Sequence, residues 1–392
     1  MAEKRKTTTS NTANGARKPS SGTRTRAEAK ALQMKKRKAR RRRRIAIFAL
    51  EIIALLVLLA GFYVVSKWDK IKHVDLDKED IVVNTDMDSS YVEEISKGYT
   101  NIGIFGVDGE GYNCDVVIIC SINNDTGEIR MASVFRDTIM QMEDDSFDKI
   151  NSAINDGEYG TSVMNTLNKN LDLNIDNFVV VNWQAVALGI NILGGVDVNI
   201  TDAMMGEING YITDTVAHAG GLGTVQLTHS GMQHLDGVQA VAYCRLRHQD
   251  SDVGRTARQR EVIGQLFEKA KTASASVLNS VVNNVFPLVT TSLELDDLWS
   301  MALGIGNYNM GETVGFPFYN HSVPTWRKPE DWPMFPMNLQ NNVSQLHQFL
   351  YESEDYAPSA TVQQISAMIQ NETNNMGLAV PETTAFSTEG AQ

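Results

Sequence analysis

The sequence has 392 residues, and its formal net charge of −12 conceals two unlike parts. Residues 1–44 carry 17 Lys plus Arg against 2 acids, which leaves 18 against 45 in the other 348 residues, so the charge divides as +15 and −27. The basic part has no aromatic residue to stack on bases and almost no large apolar residue, which excludes a folded nucleic-acid module there and argues against nucleic acid as a partner.

Residues 1–44 therefore read as a disordered basic tail that attracts anionic lipid. Ile45 to Ser66 follows, apolar apart from Glu51, Ser66 and a few small residues. At roughly 1.5 Å per residue it reaches about 33 Å, enough for a bilayer core of about 30 Å. A cleaved signal peptide would have an apolar region of only about 7 to 15 residues ending in a small-x-small site. This segment ends Phe62-Tyr63-Val64-Val65-Ser66-Lys67-Trp68, so a retained transmembrane helix over 45–66 is expected. Lys35–Lys38 and Arg40–Arg44 hold its N-terminal side in the cytoplasm, which puts the acidic remainder outside a cell membrane. Glu51 lies close enough to the basic end to sit near the head groups.

Residues 67–98 read as a polar juxtamembrane connector and 99–351 as an external α/β domain, with 352–392 a flexible tail. Within the domain, Asn101–Val107, Asp115–Asn123 and Glu128–Phe135 are predicted strands, the last two joined by Asn123-Asn124-Asp125-Thr126-Gly127. A helix over Ser162–Leu171, a strand over Phe178–Val181, a helix over Gln184–Leu193 and a strand over Val196–Ile200 come next. Residues 201–228, with five glycines, read as a mobile loop or lid. Asp236 caps a helix from Gly237, and a helix over Arg255–Lys271 has Ile263, Leu266, Phe267 and Ala270 as its core stripe. Helices near 276–290 and 295–305, a strand near 313–317, an aromatic and proline-rich loop through Trp326 and Trp332, and a helix ending near Tyr351 complete it. The fold class is α/β, with a central mixed sheet covered by helices on both faces.

Three cysteines, Cys114, Cys120 and Cys244, fall in the external part. Cys114 and Cys120 on one strand stand about 20 Å apart, beyond disulfide reach. Buried free thiols are expected, with Cys114 to Cys244 the alternative pairing.

Cys244 to Arg260 holds five arginines inside an acidic domain, a concentration that calls for an anion. Arg255, Arg258 and Gln259 stand at i, i+3 and i+4 in the first turns of a helix, where backbone N–H groups and the dipole favour phosphate. Arg245 and Arg247 share a side if the chain is extended and diverge if it is helical; the alternative for the whole group is surface ion pairing with Asp250 and Asp252. Arg136 and Asp137 follow a predicted strand, and Asp108 and Asp115 come to one edge if their strands pair antiparallel. Two carboxylates beside arginines suit a hard divalent cation bridging phosphate oxygens, Mg²⁺ first; the alternative is that both are ordinary turn residues at strand ends. The sequence has no GxxxxGK[ST], HExxH, CxxC or GxSxG motif.

Read together, Gly106-Val107-Asp108, Cys114-Asp115, Phe135-Arg136-Asp137-Thr138, Asp148-Lys149-Ile150-Asn151, Val179-Val180-Val181-Asn182, Leu193-Gly194-Gly195-Val196-Asp197-Val198, Leu235-Asp236-Gly237-Val238-Gln239-Ala240 and the Arg245–Gln259 stretch resemble the LytR-CpsA-Psr family of cell-envelope enzymes. The resemblance implies a phosphotransferase that moves an anionic glycopolymer, of teichoic acid or capsule type, from an undecaprenyl pyrophosphate carrier to peptidoglycan. It implies Mg²⁺ (or Mn²⁺) on Asp108 and Asp115, and phosphate neutralised by Arg136, Arg245, Arg247, Arg255 and Arg258. Lys149 and Gln259 would position phosphate, and Asp137 would orient arginines or assist deprotonation of the acceptor. It also implies an envelope of the Gram-positive type. The alternatives are a non-catalytic polyprenyl-pyrophosphate binder and an envelope regulator or transcriptional attenuator. Phe135, Asn113 and Val116 depart from the family pattern, which has Pro, Arg and Thr there.

Overall fold

The computed structural model describes residues 70–108, 113–156, 160–247, 251–323, 326 and 332–376. The basic tail and the expected transmembrane segment lie outside them, and no helix among the described residues is long and apolar enough to cross a membrane.

A seven-stranded mixed sheet organises the chain. After β1 (Lys72–His73) and α1 (Ser89–Gly98), its centre is the antiparallel meander β2 (Tyr99–Val107), β3 (Cys114–Asn123) and β4 (Glu128–Val134). A small hairpin, β5 (Ile139–Gln141) with β6 (Phe147–Lys149), and α2 (Thr161–Leu171) lead to β7 (Asn177–Asn182), which lies parallel to β2. The apolar run in β3 is explained by burial on both faces. Val117 and Ile119 point into one core with Phe105, Val134 and Phe178, while Val116, Ile118 and Cys120 point into another with Ile102, Met131, Ile263 and Phe267.

From β7 the chain enters a helical layer. Asn182 caps α3 (Trp183–Ile192) through the Ala185 N–H at 2.9 Å, and Thr201 caps α4 (Asp202–His218) through Met204. Between and after them, β8 (Val196–Ile200) pairs with β9 (Gly231–Leu235). Asp236 and Gln239 form a reciprocal capping box at the start of α5 (Gly237–Arg245), as the sequence predicts for Asp236. The long α6 (Ser251–Thr272) lays Ile263 and Phe267 on the sheet. Past α7 (Ala275–Asn284) come β10 (Val289–Thr291), α8 (Leu295–Gly304) and β11 (Asn309–Phe316), with β10 between β1 and β7 and β11 parallel to β4 at the opposite edge. A hairpin, β12 (Asn320–Ser322) with β13 (Met334–Pro336), precedes α9 (Leu339–Tyr351) and α10 (Ala360–Asn375).

Three expectations need correction. Residues 201–228 are not a loop throughout, because α4 fills 202–218 and buries Ile208, Ile212 and Thr215; its glycines at 206 and 210 lie in open surroundings and cost helix propensity without preventing it. The connector 67–98 is part of the folded unit from residue 70 as far as described. Tyr91, Val92 and Ile95 stand at helical spacing and pack on the main core with Val74, Leu76, Ile81 and Val83. The tail expected over 352–392 is corrected over 352–376, since Val362, Ile365 and Ile369 of α10 join that core. Buried Asp172 fastens both ends, accepting hydrogen bonds from Asn84 Nδ2 at 2.7 Å and from the Ser359 N–H and hydroxyl at 2.7 and 2.6 Å.

His347 lies under this layer, fully buried, with Nδ1 2.7 Å from the Tyr91 hydroxyl and Nε2 2.8 Å from the Leu171 carbonyl. Burial pushes its pKa down to about 4. Between that value and about 6.5 the unfolded chain binds the extra proton, so stability falls as pH drops through this window. The unfolding free energy from denaturant titrations between pH 7 and pH 5 should decline by up to about 1.4 kcal/mol per pH unit below pH 6.5. A flat profile would show that His347 is not held neutral.

Candidate active site

Antiparallel pairing of β2 with β3 brings Asp108, just past one strand, beside Asp115 near the start of the other. The Asp108 N–H donates to the Asn113 carbonyl at 3.1 Å, and Asn113 Nδ2 donates to the Asp108 carboxylate at 2.8 Å. β4 delivers Arg136 and Asp137 to the same edge. Phe135 is buried there, its N–H donating to the Phe316 carbonyl at 2.8 Å, so an aromatic ring fills the position where the family pattern has proline. The Asp137 carbonyl accepts from Met334 N–H at 2.8 Å, and the β5–β6 hairpin folds Lys149 back over Asp137.

The arginine-rich stretch is two helices with a break. α5 ends at Arg245, Leu246 is extended (φ −52°, ψ 136°), and α6 starts at Ser251. Arg245 and Arg247 thus flank an extended residue, which settles the alternative that the sequence leaves open. Gly237 lets α5 cross α3 closely: a Cβ there would lie 1.8 Å from the Ala187 carbonyl oxygen, so no larger residue fits.

Arg255 and Gln259 face the site, whereas Arg258 does not. On a helix, i+3 and i+4 fall on opposite shoulders of residue i. Arg258 is buried and donates to the carbonyls of Tyr243 (3.2 Å) and Leu246, closing the C-terminal end of α5. Its expected place on phosphate is corrected to a structural one.

The remaining charges form one network. Arg136 bonds the Asp115 carboxylate, and its Nε is 3.5 Å from Asp137. Asp137 also receives Lys149 at 3.4 Å and Arg247 at 3.5 Å, while Asp252 receives Arg247 at 3.2 Å and Arg255 at 3.4 Å. Arg255, only 3% exposed, donates to the Asp115 carbonyl at 3.1 Å. Four cations therefore face three carboxylates, and the two buried Nε atoms of Arg136 and Arg255 find no hydrogen-bond acceptor among the described residues. Burial, with Arg247 and Arg136 close by, pushes Arg255 down to about 10 despite Asp252. Burial likewise raises Asp137, reinforced by its hydrogen-bonded neighbour Asp252 against the pull of Arg136 and Lys149. Asp252 is also desolvated, but Arg255 and Arg247 outweigh this and hold it below the usual carboxylate range. An excess of cation over carboxylate, with Arg255 nearly enclosed, favours a multivalent anion.

Behind these charges runs a cavity of about 510 Å³ between the sheet and helices α3, α5 and α6. Ile104, Val116, Ile118, Val186, Ile263 and Leu266 are among its apolar wall residues; Asp115, Arg136, Arg245, Arg247, Arg255 and Gln259 are among its polar ones. Arg245 stands somewhat apart, stacked on Trp183 at 3.7 Å and bonded to Asp214 (2.7 Å) and Thr215 (2.8 Å) of α4. The sequence reading missed Trp183, Tyr211, Asp214 and Thr215. The aromatic after Val179-Val180-Val181-Asn182 was the available signal for the first; the reading of α4 as a loop hid the rest.

Cys114, Cys120 and Cys244 are all free, so the alternative pairing is not formed, and burial raises all three thiols, Cys120 and Cys244 to about 12. Asp108 and Asp115 offer a two-carboxylate, oxygen-only donor set. This fits a hard cation that completes its sphere with phosphate oxygens and water. Among the described residues, the one three-group set at metal-binding separation is His73, Asp75 and Glu294, where β1 meets the start of α8.

The model of the LytR_cpsA_psr family matches residues 62–315. The polyisoprenyl-teichoic acid–peptidoglycan teichoic acid transferase TagU of Oceanobacillus iheyensis is 32% identical over 239 residues, covering 56% of this chain and 68% of that protein. The protein of the same name from Bacillus subtilis is 30% identical over 260 residues, covering 64% and 79%. Two crystal structures share the fold: B. subtilis TagT (TM-score 0.51, 20% identity, covering 69% of this chain and 99% of that one) and protein gbs0355 of Streptococcus agalactiae (0.53, 20%, 70% and 95%).

Proposed function

Because the chain belongs to the LytR-CpsA-Psr family, we propose that it is a membrane-anchored phosphotransferase that joins an anionic glycopolymer to peptidoglycan through a phosphodiester bond. The donor would be a glycopolymer on an undecaprenyl pyrophosphate carrier. The observation that carries this reading is the junction of a buried arginine cluster with an apolar cavity, since few ligands besides a lipid pyrophosphate need both at once. The relatives named as teichoic acid transferases support the polymer class.

In this reading the lipid chain occupies the apolar cavity, and Arg136, Arg247 and Arg255 hold the pyrophosphate, with Arg245 at its outer side. An acceptor hydroxyl oxygen attacks the sugar-bearing phosphorus. The P–O bond to the polyprenyl phosphate breaks, its electron pair leaves on that phosphate, and the hydroxyl proton passes to the Asp137 carboxylate. Burial makes Asp137 a stronger base than a free carboxylate, and its contacts with Arg136, Lys149 and Arg247 fix its direction. Gln259 holds the Cys244 carbonyl at 3.3 Å and so positions the arginine segment. Catalysis of this kind rests mainly on positioning and charge stabilisation. A Mg²⁺ ion on Asp108 and Asp115, when bound, would neutralise phosphate charge. The expected helix at 45–66 would keep the domain on the outer surface of the membrane that holds the donor lipid.

Titrating Mg²⁺ against transfer activity tests the metal assignment. Asp108→Asn and Asp115→Asn should raise the Mg²⁺ concentration for half-maximal activity about tenfold or more. Metal-independent transfer, or an unchanged midpoint in both variants, would contradict it.

A further inference from the structure

A second cavity, also of about 510 Å³, is lined by Glu207, Gly210, Tyr211, Asp214 and Arg245. Tyr211 and Arg245 line both cavities, so the two adjoin at one of the arginines of the first. The α4 residues among these stand at i, i+3, i+4 and i+7, one face of the helix. Ile208, Ile212 and Thr215 are the buried residues of α4; the cavity face carries a glycine, two carboxylates and Tyr211, whose ring also packs beside the core. Asp214 and Thr215 clamp Arg245 where the two spaces join.

We propose that this second cavity is the acceptor subsite, taking an uncharged sugar ring of the glycan that receives the polymer. The inference rests on the phosphotransferase reading above. Glu207, Asp214 and the Tyr211 hydroxyl supply hydrogen-bonding partners for sugar hydroxyls, and the Tyr211 ring offers a face for sugar C–H groups. Arg245 offsets Asp214, so Glu207 leaves the lining with a net negative charge that disfavours the anionic polymer of the donor and selects the acceptor as occupant. In-line displacement requires the attacking oxygen to stand opposite the leaving lipid phosphate. With the lipid in the first cavity, the acceptor must enter from the arginine end, where the second cavity opens. The acceptor O–P bond forms as the P–O bond to the polyprenyl phosphate breaks with its electron pair, and the proton goes to Asp137 as before.

Gly210 allows a direct test. A Cβ added there meets no atom within 4 Å, and leucine is a better helix former than glycine, so Gly210→Leu should fill the cavity without harming the fold. Three quantities are read on the full chain in detergent micelles: KM for a peptidoglycan glycan oligosaccharide, Kd for a polyprenyl pyrophosphate-linked disaccharide, and Kd for sugar-free polyprenyl pyrophosphate. In Gly210→Leu the acceptor KM should rise about tenfold or more while both Kd values hold, and Glu207→Gln should raise the same KM about threefold. An unchanged acceptor KM overturns the proposal. So does a weakened Kd for the disaccharide donor alone, which would give the cavity to the donor sugar. A wild-type chain that transfers nothing contradicts the phosphotransferase reading itself; transfer unaffected by Gly210→Leu contradicts only the subsite.

Discussion

Arg255→Ala is expected to lower kcat for glycopolymer transfer about 10³-fold, the scale found when a buried charge donor is taken from a developing anion. Arg255 is almost wholly enclosed, its Nε has no acceptor among the described residues, and its neighbours include Arg136 and Arg247. Such a group is poorly accommodated until an anion arrives, and most of its favourable interaction would be realised on the phosphoryl group in the transition state. Truncation also strips partners from Asp252 and from the Asp115 carbonyl, so Arg255→Lys is the control for folding. Lysine keeps the charge but loses the planar fork, and transfer should fall about 10²-fold with the melting temperature little changed. Loss of less than about threefold in both variants, read as initial rates at saturating donor, would place Arg255 outside the chemistry.

The second large effect concerns the lipid. Gly189 lines the apolar cavity, and a Cβ built there meets only Val285 Cγ2, at 3.8 Å. Gly189→Trp should therefore project an indole into the space assigned to the polyprenyl chain. Each methylene kept from burial forfeits about 0.8 kcal/mol, so displacing four costs about 3 kcal/mol and weakens Kd about 100-fold. A donor with a chain too short to reach Gly189 should bind wild type and variant alike. Equal weakening of short and long donors, measured by displacement of a fluorescent lipid pyrophosphate, would mean that the substitution disturbs the arginines and that the cavity holds no chain.

Much of this was legible in the sequence, for identifiable reasons. The continuous apolar run Val116 to Cys120 announced a strand buried on both faces, and Asp236 announced a helix start; both signals are local and chemically specific. The pairing that brings Asp108 beside Asp115 was conditional in the sequence on antiparallel neighbours, and β2 and β3 do pair antiparallel. The failures arose where a local rule met a tertiary one. Helical spacing alone placed Arg258 with Arg255 and Gln259, yet the carbonyls of Tyr243 and Leu246 at the end of α5 claim its guanidinium. Glycines in 201–228 masked α4, whose stability comes from Ile208, Ile212 and Thr215 packing below it. α10 has few apolar residues, and nothing in its own sequence tells that Asp172, far away in the chain, anchors its first turn. The cavity belongs to no single segment, since strands β2, β3 and β7 and helices α3, α5 and α6 each supply part of its wall.

The central claim is that one site holds a lipid pyrophosphate and passes its glycan to a peptidoglycan hydroxyl. The most direct measurement incubates the full chain in detergent micelles with a polyprenyl pyrophosphate-linked glycan, peptidoglycan and Mg²⁺. Released polyprenyl phosphate and glycan bound to the acceptor are quantified together. The account predicts that both appear in equal amounts and that both vanish in Arg136→Ala. Tight donor binding with neither product formed, at any divalent cation concentration, would contradict it and leave a lipid-pyrophosphate binder in its place.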